Sequence, residues 1–266
     1  MKFSDFTRNI RNWFGGRPEP PANLAEPPSP GFNAPEIREI REVEHALDSF
    51  SRLSLDGRFR AVIQAGAFKN SCRITAAAPD IDRVRLKRNG AKLTVDCDGR
   101  PLPDGTIELE IKCITAPTTV KSAGRNRIVF NNAASDRLEL KLTGAGEIEL
   151  PNARVGTLVL ELDDLSRADC AGDLPDCEIR LNGECTAKID GVLRSLRADV
   201  TGRSRLKAAT ADLAELRISG ASSVKLAVRK RITGKIAGQS RLKYSGQPDV
   251  SGLKGSAGSK ASAREE

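Results

Sequence analysis

Leu216-Arg217-Ile218-Ser219-Gly220-Ala221-Ser222-Ser223-Val224-Lys225-Leu226 is the stretch on which the fold turns. Apolar Leu216 and Ile218 flank charged Arg217, and apolar Val224 and Leu226 flank Lys225. Alternation with a period of two is the mark of strands with one face inside. Gly220 between the two runs supplies a corner with no Cβ to obstruct it. Outward from this unit the same pattern returns around Gly124, Gly144, Asp164, Gly183, Gly202 and Gly238, at spacings of 20, 20, 19, 19, 18 and 18 residues. The columns two and four residues before each anchor, and four and six after it, are apolar at 26 of 28 positions, with Ser122 and Gly234 the exceptions. The column three before the anchor is charged throughout: Lys121, Lys141, Glu161, Arg180, Asp199, Arg217 and Lys235. One such unit cannot bury its own apolar edge, but stacked units can. The spacing therefore predicts an all-β protein, a right-handed parallel β-helix of about seven coils over residues 118–248, rising ~4.8 Å per coil.

On either side the pattern changes. Residues 37–117 hold short alternating runs broken by Gly, Asp and Pro, and predict a small sheet or sandwich in front of the solenoid. Residues 17–36 carry seven prolines and no periodicity, which reads as an extended linker. Residues 1–16 place Phe3, Phe6, Ile10, Trp13 and Phe14 at roughly helical spacing, a short amphipathic helix suited to a membrane interface or a partner's groove. Residues 249–266, rich in Gly, Ser, Ala and Lys, read as a disordered tail.

Composition narrows the classes of function. Forty-three Lys and Arg against 35 Asp and Glu give a net charge of +8, a balance that favours anionic partners. The six cysteines lack metal or redox spacing and read as reduced, small, partly buried residues. No apolar run is long enough to span a membrane and the N-terminus has no secretory h-region. The expected location is thus the cytoplasm or the periphery of the inner membrane, with export as the alternative if the true start lies elsewhere.

The order VEHALDSFSRLSLDGRFRAVIQAG (43–66), LRISGASSVKLAV (216–228) and ITGKIAGQSRLKYSGQPDV (232–250) resembles the GIN-domain family, the head domains of auto-transporter adhesins. Its repeated turn is carried by Gly220, Ser222 and Val224 and again by Gly238, Ser240 and Leu242, and its closing motif by Tyr244, Gly246 and Pro248. The resemblance covers about residues 37–250. It implies a right-handed β-solenoid, usually exported from bacteria, with no established catalytic residues and no cofactor. Asp164 in place of a turn glycine, the Pro-rich arm and the missing signal peptide depart from the pattern.

Chemical candidates are few. Asp163 and Asp164 beside Arg167 have the makings of an acid-base pair for polysaccharide cleavage, but Asp163 shares a column with Thr143, Asn182, Thr201 and Ser219, and short polar residues suit turns. His45 has no Cys or Ser partner and reads as a strand-edge residue. No metal or catalytic set is expected. The better lead lies five past the anchors, where Lys188, Lys207, Lys225 and Lys243 succeed one another, flanked by Arg205 and Arg241. Residues 194–243 hold 13 basic and 3 acidic side chains (+10), whereas residues 104–192 hold 10 and 16 (−6).

These features predict a non-catalytic scaffold that presents a basic face to a protein, an anionic polymer or a membrane surface, adhesin-like in kind. Homo-oligomers fit the charge gradient, and sequence-specific nucleic-acid binding does not fit the scarcity of outward aromatics. The alternatives are a self-assembling cytoskeletal polymer similar to bactofilins and, with less in its favour, a carbohydrate-active enzyme. A surface of exposed lysines that only keeps β-edges soluble is the bland reading of the same residues.

Overall fold

A computed structural model of the protein describes residues 39–97, 107–256 and 258–263. The N-terminal helix expected from Phe3, Phe6, Ile10, Trp13 and Phe14, and the whole of the Pro-rich arm, lie outside the described residues.

The repeat folds as its spacing requires, into a β-solenoid of about eight turns. Strands β8 (Thr119–Gly124) and β9 (Arg127–Asn131) flank the Gly124 corner; the coils continue through β10 (Ala134–Gly144), β11 (Glu147–Asp164), β12 (Arg167–Asp173) and β13 (Asp176–Gly183). They go on through β14 (Thr186–Val200), β15 (Arg205–Ile218), β16 (Ser223–Ile236) and β17 (Arg241–Ser245). Neighbouring coils pair in parallel and in register, so that Ile128, Ile148, Ala168, Ala187, Leu206, Val224 and Leu242 stack along the interior. All seven are at most 1 % exposed.

The long strand β11 runs through a corner with only a register shift between Leu150 and Ala153.

At three successive anchor corners the chain turns inward-facing hydroxyls back on the coil below. Ser204, Ser222 and Ser240 are buried, and their hydroxyls donate to the carbonyls of Gly183, Gly202 and Gly220 one coil below, at 3.1, 3.2 and 3.3 Å. A small hydroxyl satisfied by a backbone oxygen can sit inside an apolar column at little cost. Across the outer face, the charged column forms rungs between coils: Glu161 accepts from Lys141 at 3.1 Å and from Arg180 at 2.5 Å.

Both ends differ from the sequence expectation. The described residues of 37–117 do not form a separate sheet in front of the solenoid. Strands β2 (Arg52–Gly57) and β3 (Phe59–Ala65) pair in parallel with β8 and β9, with Gly57 stacked on Gly124, and form a coil of the same solenoid. Strands β6 (Lys92–Cys97) and β7 (Ile107–Cys113) pair in parallel with the other side of β2 and β3 and add one more layer. The chain therefore builds its second layer first, steps outward, and returns. Antiparallel strands then cover the outermost layer: β5 (Val84–Asn89) on β6, β4 (Ser71–Ala77) on β7, and β1 (Ile40–Ala46) on β4, with the helical turn α1 (Ala78–Ile81) between β4 and β5.

At the other end, the described residues of the expected disordered tail, 249–256 and 258–263, form a further coil. Strand β18 (Asp249–Gly255) pairs in parallel with β16, and β19 (Lys260–Ala263) with β17. Composition misled here because backbone pairing onto a finished coil needs no large side chains. The rung tapers the core, setting Gly255 over Ile236 and Ala261 over Leu242.

Candidate functional site

The lysine column is assembled by strand register. Residue by residue, β14, β15, β16 and β17 align Lys188 with Lys207, Lys207 with Lys225, and Lys225 with Lys243, and β19 sets Ser262 beside Lys243. Arg205 and Arg241 stand two residues earlier on the same outward face, separated by Ser223, and Lys260 of β19 extends that second row beyond Arg241. Lys260 was missed by reading the tail as disordered; the signal for it is Gly258, 20 residues after Gly238.

Burial and pairing divide these residues. Lys188 is drawn out of the group: it pairs with Asp190, and with Asp169 at 3.7 Å. The hydrogen bond to Asp190 and the charge of Asp169 hold its ammonium pKa above the usual lysine value. Lys207, Lys225 and Lys243 are exposed. Among the described residues, no ion pair reaches them, nor Arg205, Arg241 or Lys260. The first half of the same face is neutralised instead, with Arg127 3.0 Å from Glu149 and Arg167 3.5 Å from Glu147.

The three lysines edge a groove of about 560 Å³ at the corner where β15, β16 and β17 turn, with Thr210, Tyr244 and Ser262 also lining it. Tyr244 is half-buried and packs against the core while facing this space. Like charges held ~4.8 Å apart repel by about 1 kcal/mol per pair even in water, which a multivalent anion relieves.

The other candidates take structural parts. Asp164 sits at φ 64° in the turn column, and its Oδ2 accepts from the Gly144 amide at 2.9 Å. Asp163 accepts from Asn182 Nδ2 at 3.4 Å within the short polar column. Arg167 is engaged by Glu147 rather than by either aspartate. His45 lies exposed on β1, whose register places it opposite Cys72. All six cysteines lack disulfide partners, and five are buried. Burial pushes the Cys72 and Cys177 thiols up to about 12 and the Cys113 thiol to about 11, so none of these is a ready thiolate. Among the described residues there is no group of His, Cys, Asp and Glu side chains that could hold a metal ion.

A parallel solenoid whose front is covered by antiparallel strands is the architecture of a class of repetitive β-proteins. Within that class the chain belongs to the family described as "Putative auto-transporter adhesin, head GIN domain", which matches residues 49–248. No curated protein matches it. Its fold is similar to that of a "putative adhesin" from Bacteroides fragilis NCTC 9343, with a TM-score of 0.65 at 12% identity over 85% of this chain and 97% of that one. A second "putative adhesin", from Parabacteroides distasonis ATCC 8503, gives a TM-score of 0.69 at 10% identity over 85% of this chain and 98% of that one. A "putative lipid binding protein" from the same organism gives 0.64 at 12% identity, over 85% and 97%. At such identities the likeness is one of fold.

Proposed function

We propose that this chain is a non-catalytic, adhesin-like binding module whose solenoid holds a basic groove against an anionic polymer. The observation that carries the reading is the run of Lys207, Lys225 and Lys243 on consecutive coils, exposed and without an acidic partner among the described residues. The strands fix the row on which the three ammonium groups stand. Each lysine stem still gives up ~0.5–1.5 kcal/mol of rotamer freedom when a ligand immobilises it, which is offset as the mutual repulsion of the three charges is neutralised. The family description supports an adhesin-like part, and it supports a place outside the cell or at its envelope over the cytoplasmic location expected from the N-terminus. The turn duties of Asp163 and Asp164 weaken the carbohydrate-cleaving alternative.

The test is elution from a heparin matrix in a salt gradient. Reversing the groove charges (Lys207→Glu, Lys225→Glu, Lys243→Glu) is compared with reversing Lys121, Lys235 and Lys254, which are exposed in the charged column of another face. Both variants change net charge equally. The expected result is that the groove variant elutes at clearly lower salt than the control variant, and that retention of the wild-type chain falls with ionic strength. Equal elution of the two variants would mean that net charge alone holds the protein, and the groove reading would be abandoned.

A further inference from the structure

We infer that the groove's ligand is a linear anionic polysaccharide, laid along the solenoid axis with successive charged sugars over successive coils. This rests on the basic-groove reading above and adds the chemical class of the polymer.

Spacing comes first. Register stacks Lys207, Lys225 and Lys243 one per coil, so the charges repeat every ~4.8 Å along the axis. A hexopyranose advances its chain by a length of the same order, and a polyuronate carries one carboxylate on every sugar. Duplex DNA offers a phosphate every ~3.4 Å of axis along each strand, on a backbone that winds around the duplex and so leaves a single straight row of lysines.

The groove floor points the same way. It holds a single aromatic residue, Tyr244, with aliphatic Leu226, Ala208 and Ala227 beside it. Single-stranded nucleic acid is held by successive aromatic platforms, one for each stacked base, and one ring does not provide that. One amphipathic ring against the core does suit the apolar C–H face of one sugar. Thr210, Ser245 and Ser262 line the same space and can each donate and accept, which matches the neutral hydroxyls that a sugar presents between its charges.

The kind of cation fits as well. Three of the charges at the groove are lysines, compact point charges on flexible stems. Phosphate recognition more often recruits the planar, bidentate arginine fork. Individually weak contacts repeated along a polymer gain strength through multivalency, so a shallow groove suffices.

The experiment is titration of the full chain, by calorimetry at low salt, with oligogalacturonate, a neutral galactan, inorganic polyphosphate, oligo(dT) and phosphatidylglycerol vesicles. The inference expects oligogalacturonate to bind more tightly than the other probes and the neutral galactan not to bind. Lys225→Gln weakens binding of both oligogalacturonate and polyphosphate. Tyr244→Leu, which keeps apolar volume over the core, weakens oligogalacturonate by about three- to tenfold, as for loss of an aromatic contact, and leaves polyphosphate binding unchanged. Unaltered far-ultraviolet circular dichroism certifies the fold of each variant. If polyphosphate, oligo(dT) or vesicles bind as tightly as oligogalacturonate, or if Tyr244→Leu has no selective effect, the polysaccharide class is overturned while the basic groove stands. If no polyanion binds, both fall.

Discussion

Asn126 stands where the later coils carry the small residues Gly146, Ser166, Cys185, Ser204, Ser222 and Ser240, and it does more than they do. Its Nδ2 donates to the Ala123 carbonyl at 2.8 Å, to Ser122 Oγ at 3.0 Å and toward the Leu55 carbonyl at 3.3 Å, and its Oδ1 accepts from the Phe59 amide at 2.9 Å. Leu55 and Phe59 belong to the β2–β3 coil, so this one buried side chain, 1% exposed, ties a coil laid down early to one that arrives 67 residues later. Removing it leaves the Phe59 amide buried without its partner, and orphaned buried groups cost ~1–3 kcal/mol each. Asn126→Ala is therefore expected to destabilise the protein by about 3 kcal/mol in urea unfolding. Ser222→Ala should cost about 1 kcal/mol or less, because the Gly202 carbonyl still accepts from the Ala221 amide at 2.8 Å. Equal losses would mean that Asn126 is one more rung and not a clamp. The neighbouring Gly220 has φ +77°, and a Cβ there would lie 2.5 Å from the Gly202 carbonyl oxygen, which explains why the anchor column is almost purely glycine. Asp164 is the exception, and its hydrogen bond to the Gly144 amide offsets a backbone conformation that costs a non-glycine residue ~1–3 kcal/mol.

At the scale of the element, the weakest coil should be the last. Every residue of β19 is exposed, and β18 has only Leu253 half-buried, so little apolar burial holds these strands against fraying. Amide hydrogens of β18 and β19 are expected to exchange at least tenfold faster than those of β14 and β15, a gap of about 1.4 kcal/mol in local opening, and mass-resolved exchange on peptides from both regions would check it. Exchange as slow as in the central coils would imply that something else covers the end. The same contrast explains what could be read in advance. Coils carrying Leu, Ile and Val in four columns announce themselves; a coil made of Gly, Ser, Ala and Lys announces only Gly258, at the repeat distance from Gly238. The first coil was hidden differently. Gly57-Arg58-Phe59-Arg60-Ala61-Val62 matches Gly124-Arg125-Asn126-Arg127-Ile128-Val129 in its Gly, both Arg and the Val, but the excursion through β4 to β7 breaks the period that would have aligned them. Of the candidate site, the lysine column was legible because register follows from spacing. The pairing of Lys188 with Asp169 and Asp190 was less so, because it depends on how far individual side chains reach.

At the scale of the molecule, the two ends of the solenoid are unlike. A polymer that continued the coil would need one end to present parallel rungs that the other end could extend. The front does not offer them: β6 and β7 are already paired on their outer sides with antiparallel β5 and β4. The rear presents β18 and β19, but these edges are short, carry Lys254 and Lys260, and follow Pro248, features that discourage edge-to-edge pairing. Charge also separates the halves, since a run of acidic side chains in residues 104–192 precedes the basic coils of residues 194–243; that attraction is long-ranged and weakens beyond ~8 Å in physiological salt. The expected outcome of sedimentation velocity at physiological ionic strength is a monomer, with reversible association growing only as salt is lowered. Filaments in the electron microscope at physiological salt would reverse the conclusion and favour the bactofilin-like alternative, because stiff polymers require strand pairing at both ends and not charge attraction alone.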